Sequence, residues 1–325
     1  MPTVLVTPRE VARFEPRYAD VFAAAGWTVA YPPPADANLP TRDELFAALP
    51  GVSAVIAGSE PYNAELFRAF PGLRVVARVG VGYDSVDVPA ATTHRVAVTV
   101  APGTNHDSVA EHTFALLLAF TRHIPVRNSL IHAGGWPRHF SLPLRGRTLG
   151  LAGLGRIGRA MVPRAAAFGM NVIGYDPLPA DVPGVERVTF DELLRRSDFL
   201  SLHLPLTPGT RRVMNAAAFE QMKPGAVLLN TSRGGLVCEP DLVAALASGH
   251  LGGAGLDVLE QEPPPADHPL FGLPNVILTP HAAGVDTQSL GDMARSAAEA
   301  IVAIHRGDWP AEKMVNADVR PGWAW

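Results

Sequence analysis

Three short segments of the 325-residue chain carry side chains able to do acid–base chemistry on a small anion. They are Asn230-Thr-Ser-Arg233-Gly-Gly, Leu256-Asp257-Val-Leu-Glu-Gln-Glu262-Pro-Pro and Thr279-Pro-His281-Ala-Ala-Gly284. Arginine keeps its charge, and its planar fork bonds two oxygens at once, so Arg233 suits a carboxylate beside a carbonyl. Histidine has an ordinary pKa of about 6.5, so His281 suits a group that gives or takes a proton near neutrality. A neighbouring carboxylate favours the protonated ring, and Glu262 is the candidate for it. A fourth segment points to a dinucleotide. Arg147-Thr-Leu-Gly-Leu-Ala152 reads as a strand and runs into Gly153-Leu-Gly155-Arg-Ile-Gly158, with helical Arg159 to Phe168 following and Gly169 as its stop. In that pattern Gly153 permits a tight turn, Gly155 lets a pyrophosphate approach the backbone and Gly158 lets the helix pack on the strand. The amides at the helix start then face the phosphates. The next strand, Asn171 to Tyr175, ends in Asp176, placed to accept from ribose hydroxyls. Pro-Leu-Pro follows, with no Arg or Lys for a 2'-phosphate, so NAD is expected over NADP.

These residues need a scaffold that brings distant segments together, and the apolar pattern supplies one. Short runs rich in Val, Ile and Ala recur at Val4 to Val6, Thr28 to Ala30, Ala54 to Ala57, Val75 to Val79 and Ala97 to Val100. Each reads as a buried parallel strand, and stretches of helical period such as Ala19 to Ala25 and Glu44 to Leu49 lie between them. A Ser-x-x-Glu pattern at Ser108 to Glu111 is expected to cap the long apolar helix that follows and links two domains. A second alternating series uses strands at Arg147 to Ala152, Asn171 to Tyr175, Phe199 to Leu202, Ala226 to Leu229, Gly255 to Val258 and Val276 to Leu278. The expected fold is α/β, with two Rossmann-like domains built on parallel sheets: a flavodoxin-like substrate domain and a doubly wound NAD-binding domain. The substrate domain takes residues 1–101 and 285–325, and the NAD-binding domain takes 102–284. The last helix places Leu290, Met293, Ala297, Ile301 and Ile304 on one face, which suits packing back on the first domain. Arg233, Glu262 and His281 each follow the carboxyl end of a strand. In an open parallel sheet those ends line the ligand crevice.

Composition narrows the alternatives. With 47% hydrophobic residues, the chain can bury two cores. Its 27 basic and 31 acidic residues give a net charge of −4 without a basic run, so a nucleic-acid partner is not expected. No segment is apolar for the roughly 20 residues of a membrane span, and no signal sequence is read at the start. Cys238 has no second cysteine to pair with, which suits a reducing cytoplasm and rules out a Cys-x-x-Cys site. No histidine spacing points to a metal.

Together with Arg78-Val-Gly-Val-Gly-Tyr-Asp-Ser-Val-Asp87, the glycine fingerprint and the three catalytic segments resemble the D-isomer-specific 2-hydroxyacid dehydrogenase family over nearly the whole chain. The resemblance implies hydride transfer between NAD and C2 of a small 2-hydroxy or 2-keto acid. Arg233 would bind the substrate, and His281 with Glu262 would act as acid and base. It further implies that the amides of Val81 and Gly82 hold the substrate carboxylate, with Asn105 near it. Asp257 would meet the nicotinamide carboxamide, and His203 would lie beside the cofactor. Arg156, Ile157, Pro205, Thr210, Thr231, Ser232 and Gly284 are also expected there, and the family implies a homodimer, with contacts at the helix after Ser108 and the loop around Trp136. Phosphoglycerate dehydrogenases in the family offer an arginine for the substrate phosphate where this chain has Gly58, in Ala57-Gly58-Ser59-Glu60-Pro61-Tyr62. That absence, with Glu60 added, favours an unphosphorylated acid: glyoxylate, hydroxypyruvate, pyruvate or a bulkier 2-keto acid. The end at Trp325 leads us to expect no serine-responsive regulatory domain. Glu262 stands where the similar formate dehydrogenases carry Gln. Cys238 stands where relatives often have an acid, and we give it no function. The alternatives are a phosphoglycerate dehydrogenase proper and an NAD(H)-sensing protein like the corepressors built on this scaffold.

Overall fold

The computed structural model describes residues 1–35, 37–136, 138, 140–178, 181–320 and 322–325. Pro179, the last residue of the Pro-Leu-Pro reading after Asp176, lies outside them. The chain divides into two compact units, Met1–Asn105 with Val285–Trp325, and His106–Gly284.

The first unit is built on a parallel sheet of β1 (Thr3–Val6), β2 (Thr28–Ala30), β3 (Ala54–Ala57), β4 (Val75–Arg78) and β5 (Ala97–Thr99), in the order β2-β1-β3-β4-β5. This is the flavodoxin-like order, with its reversal between β1 and β3. Strands β3, β4 and β5 are buried along their whole length, and they are apolar except at Arg78 and Thr99, the last residues of β4 and β5. Strand β2 departs from the expected pattern. It forms one sheet edge, and Thr28 is exposed, whereas β5 at the other edge is covered by an antiparallel bridge from Thr99 to Met314. On one face of the sheet, the helix Thr287–His305 packs Leu290, Met293, Ala297, Ile301 and Ile304 into a core with Tyr18 and Phe22. On the other face, Leu45, Leu49, Leu66 and Phe67 cover it.

The second unit carries β6 (Thr148–Ala152), β7 (Asn171–Tyr175), β8 (Glu186–Arg187), β9 (Phe199–Leu202), β10 (Val227–Asn230), β11 (Gly253–Leu256) and β12 (Val276–Leu278). Their order is β12-β11-β10-β9-β6-β7-β8, all pairs parallel. The order reverses between β6 and β9, the switch point where a doubly wound sheet opens a crevice. The register pairs Asn230 with Leu256 and Leu256 with Leu278, so three strands end level with one another.

The Ser108 capping box does not form. The helix runs from His106 to Thr121, so Ser108 already lies inside its first turn, and its hydroxyl donates to the Ala283 carbonyl at 2.8 Å. Glu111 bonds Arg164 instead of the helix start. The hydroxyl found a better acceptor in a neighbouring segment than in its own backbone, a competition that spacing alone does not reveal. Boxes of this type do occur at Thr41–Glu44 and Thr189–Glu192. The helix after the glycines spans Arg156–Ala167, starting three residues before the expected Arg159, and Gly169 follows its end with φ +66°.

Candidate active site

The glycine turn follows β6 at the switch point. A Cβ on Gly153 would lie 2.5 Å from the His203 carbonyl oxygen, and one on Gly158 would lie 2.1 Å from that of Gly153. Both positions therefore admit only glycine. A Cβ on Gly155 would meet nothing within 4 Å, so the space beside it is open. Gly155 also caps the helix Arg156–Ala167 without any side-chain hydrogen bond, leaving the amides of Arg156 and Ile157 to the space in front. An open face at the middle glycine and uncapped amides fit a pyrophosphate. Asp176 ends β7, and its carboxylate accepts from the Leu154 amide at 2.7 Å and the Leu178 amide at 2.9 Å. It thus fixes the turn, a role the spacing did not reveal.

His203 follows β9. Its Nε2 pairs with Ser201 Oγ at 2.9 Å, and its buried Nδ1 has no partner. Burial pushes the ring down to a pKa of about 4, so it is neutral at physiological pH. Ser232 donates to the Leu204 carbonyl at 2.7 Å, and Thr210 closes its own loop by donating to Pro205. Thr231 is buried, with its hydroxyl 2.8 Å from that of Thr113.

The chemistry-bearing residues stand at the level ends of β10, β11 and β12. After β10, the buried Asn230 side chain donates to the Arg233 carbonyl at 2.9 Å and accepts from the Ser232 amide at 3.1 Å, shaping the turn that presents Arg233. After β12, His281 takes a left-handed backbone at φ +53°, rare for a residue with a side chain. Its Nδ1 lies 2.6 Å from Glu262 Oε2, and Glu262 Oε1 accepts from the Leu259 amide at 2.9 Å. Burial raises the Glu262 carboxyl, but the His281 hydrogen bond and charge, the Leu259 amide and the Arg233 charge outweigh it and leave it below its ordinary range. Glu262 is therefore an ionised acceptor, which makes Nδ1 the donor and leaves Nε2 of His281 to exchange a proton.

Asp257 is used differently from the expectation of a cofactor contact. Its side chain has no exposed surface. The carboxylate accepts from Thr279 Oγ1 at 2.6 Å and from the amides of Ala282 at 2.9 Å and Ala283 at 2.8 Å. It holds the turn that carries His281, and Gly284 closes that segment. In the other unit, Val81 and Gly82 sit on the loop after β4, with Val81 exposed, and Asn105 is buried. Arg78 shapes this loop by donating to the carbonyls of Gly82 and Ala57, each at 3.0 Å, which the sequence did not single out. Glu60, read from the sequence as an acid disfavouring a phosphorylated substrate, is turned into its own unit. It is buried and accepts from Thr7, from the Gly58 amide and from Tyr62, whose hydroxyl burial keeps protonated. Among the described residues no group of acids, histidines and cysteine could hold a metal, and no helix is long and apolar enough to cross a membrane.

A doubly wound unit with a glycine turn at its switch point, and an Arg, a Glu–His pair and a buried Asp on adjacent strand ends, defines a dinucleotide-binding dehydrogenase scaffold. Residues 114–283 match the model described as D-isomer specific 2-hydroxyacid dehydrogenase, NAD binding domain. The chain belongs to that family, and the cofactor of the matched domain is NAD. It is 41% identical over 295 residues to a D-3-phosphoglycerate dehydrogenase of Mycobacterium tuberculosis, covering 87% of this chain and 56% of that protein. The chain thus spans about half the length of such relatives. It is also 41% identical over 271 residues to a glyoxylate reductase of Korarchaeum cryptofilum, covering 80% of this chain and 81% of the relative. The crystal structure of the TT0316 protein from Thermus thermophilus matches with a TM-score of 0.84 at 37% identity, over 96% of this chain and 99% of that one.

The depressed pKa of His203 has a consequence for folding. Its neutral state costs nothing above the ordinary pKa of about 6.5, whereas as pH falls toward about 4 the unfolded chain takes up a proton that the native ring refuses. Stability is therefore lost over that window. In denaturant unfolding, His203→Gln should lose about 2 kcal/mol less than the parent between pH 6.5 and 4.5. An unchanged pH dependence would contradict a buried neutral ring.

Proposed function

We propose that this chain is an NAD-dependent D-2-hydroxyacid dehydrogenase acting on a small, unphosphorylated 2-keto or 2-hydroxy acid. The observation that carries the reading is the 2.6 Å contact of His281 with an ionised Glu262, in the unit that holds the glycine turn and Arg233. The unit of 106–284 is the NAD-binding domain, and the unit of 1–105 and 285–325 is the substrate domain.

NAD, when bound, exchanges a hydride with C2 of the substrate. Gly153, Gly155, Gly158 and the amides of Arg156 and Ile157 cradle its pyrophosphate, and Asp176 serves the ribose as well as the turn. His203, Pro205, Thr210, Thr231, Ser232 and Gly284 complete the cofactor's surroundings. Arg233 holds the substrate carboxylate and polarises the C2 oxygen, which is why a 2-keto acid is preferred to a simple ketone. Val81, Gly82 and Asn105 are the residues of the substrate domain that resemblance to the family assigns to substrate binding. His281 gives its Nε2 proton to that oxygen during reduction and takes it back during oxidation, while Glu262 stabilises the charged ring. Asp257 acts by holding the His281 turn.

Two observations bear on the substrate. Gly58 offers no cation where a phosphate-binding arginine would stand, and the side-chain ends of Leu39 and Glu60 occupy the space where its Cβ would lie. With Glu60 turned inward, Gly58 alone carries this argument. The relative matched over four-fifths of its length is named glyoxylate reductase. Glyoxylate and hydroxypyruvate are accordingly the first substrates to try. The single cysteine suits a cytoplasmic setting.

A panel of glyoxylate, hydroxypyruvate, pyruvate, bulkier 2-keto acids and 3-phosphohydroxypyruvate, followed at the nicotinamide absorbance, tests the reading. Turnover is expected with an unphosphorylated acid, with NADH preferred to NADPH by about tenfold or more in kcat/KM, a difference of about 1.4 kcal/mol. Preference for the phosphorylated acid would restore the phosphoglycerate reading. Tight NADH binding without turnover of any acid would instead support an NAD(H) sensor.

Homodimerisation is the second part of the proposal. The helix His106–Thr121 buries most of its apolar side chains within its own unit, whereas the next helix, Ile124–His132, buries none. Ile124, Val126, Ile131, Trp136 and Phe140 are all exposed, and apolar exposure on this scale marks a contact surface. Sedimentation should give a dimer for the parent and a monomer for a double Ile124→Glu, Ile131→Glu variant. A monomeric parent would overturn this assignment.

A further inference from the structure

The turn that carries His281 combines an unfavourable backbone with a buried charge, and both need support. Asp257 supplies part of it, and a histidine outside the turn approaches the Asp257 carboxylate. This is His112, whose Nε2 lies 3.5 Å from Asp257 Oδ1. His112 is on the helix His106–Thr121, and the same Nε2 is 2.9 Å from Thr279 Oγ1. The Thr279 hydroxyl has one proton, and it donates that proton to Asp257 at 2.6 Å. The contact with His112 is therefore made by a donating Nε2–H. A chain of donors results, from His112 to Thr279 to Asp257, and the amides of Ala282 and Ala283 meet the same carboxylate. The backbone of His281 is tied in as well, because its amide donates to the Asp257 carbonyl at 2.8 Å.

A second contact comes from the same helix face. Ser108 lies four residues before His112, on the same stripe, and its hydroxyl holds the Ala283 carbonyl at 2.8 Å. The helix thus grips both ends of the 279–283 turn with two polar residues. A threonine hydroxyl without the His112 donor is free to rotate to another acceptor. Asp257 would then lose one of the three hydrogen bonds that orient it.

We propose that His112 is a positioning residue for the reaction, acting through Thr279 and Asp257 to hold His281 in its left-handed turn against Glu262. It acts at a distance from the proton-carrying ring, and its effect on turnover rests on the dehydrogenase reading above. It should therefore govern kcat and leave cofactor affinity alone. The donor at Nε2, and not the ring, is what matters, so glutamine can replace it and phenylalanine cannot.

The test uses the full chain with His112→Phe, His112→Gln, Thr279→Val and the His112→Phe, Thr279→Val double variant. It reads steady-state kinetics on the best acid of the panel, NADH affinity by fluorescence, and amide hydrogen exchange of residues 281–283. His112→Phe should lower kcat by about tenfold and speed exchange of the three amides by about tenfold, with NADH affinity unchanged. His112→Gln should restore both to within about threefold. In the Thr279→Val background, His112→Phe should add nothing, because the relay is already cut. Phenylalanine and glutamine variants that behave alike, or amides 281–283 that exchange at the parental rate in His112→Phe, would overturn the proposal. If the parent turns over no 2-keto acid, the reaction reading fails, and the exchange measurements still decide the role of His112 in the turn.

Discussion

Everything at the candidate site depends on three parallel strands ending level at one edge of a sheet. β10, β11 and β12 are in register at Asn230, Leu256 and Leu278, so the segments that follow them stand side by side although long stretches of chain separate them. A parallel sheet forces this arrangement, since each strand must be reached by a crossover that returns the chain to the far edge. Loops after the strands then differ in sequence without moving the frame. Arg233, Glu262 and His281 need no contact in the chain to share an edge in space.

Within that frame, the costly features support one another. A left-handed residue with a side chain and a fully buried carboxylate are each unfavourable alone. Here the carboxylate of Asp257 takes up the amides that the turn at His281 leaves unpaired, so each feature answers the other. Glu262 follows the same logic. Its partial burial disfavours its charge, and the adjacent ring, amide and guanidinium more than offset that. The result is an imidazole held at one nitrogen with the other presented for chemistry.

The sheets were legible because fully buried parallel strands must be continuously apolar, as at Ala54–Ala57 and through Val227, Leu228 and Leu229. Strand β2 was equally visible, but its place at the edge was not, since nothing in Thr-Val-Ala says how many neighbours it has. The glycine turn was legible for a steric reason that the structure bears out at Gly153 and Gly158. Polar partners were less so. Ser108 matched a capping pattern but bonds a carbonyl 175 positions away, and Glu60 was read as an acid set against a phosphorylated substrate but lies buried against Thr7 and Tyr62. His112 carried no signal, because a histidine on an apolar helix takes its meaning from what stands opposite. Spacing records the local chain, and these contacts are made across the fold.

The central claim is that an ionised Glu262 holds Nδ1 of His281 and leaves Nε2 to carry the proton. The most direct measurement is kcat for 2-keto acid reduction by the parent and by Glu262→Gln. The carboxylate orients the ring and offsets the charge that develops on it, and a neutral amide supplies no such charge, so kcat of the variant should fall by about tenfold or more. NADH affinity should be unchanged. A kcat equal to the parental one would contradict the account.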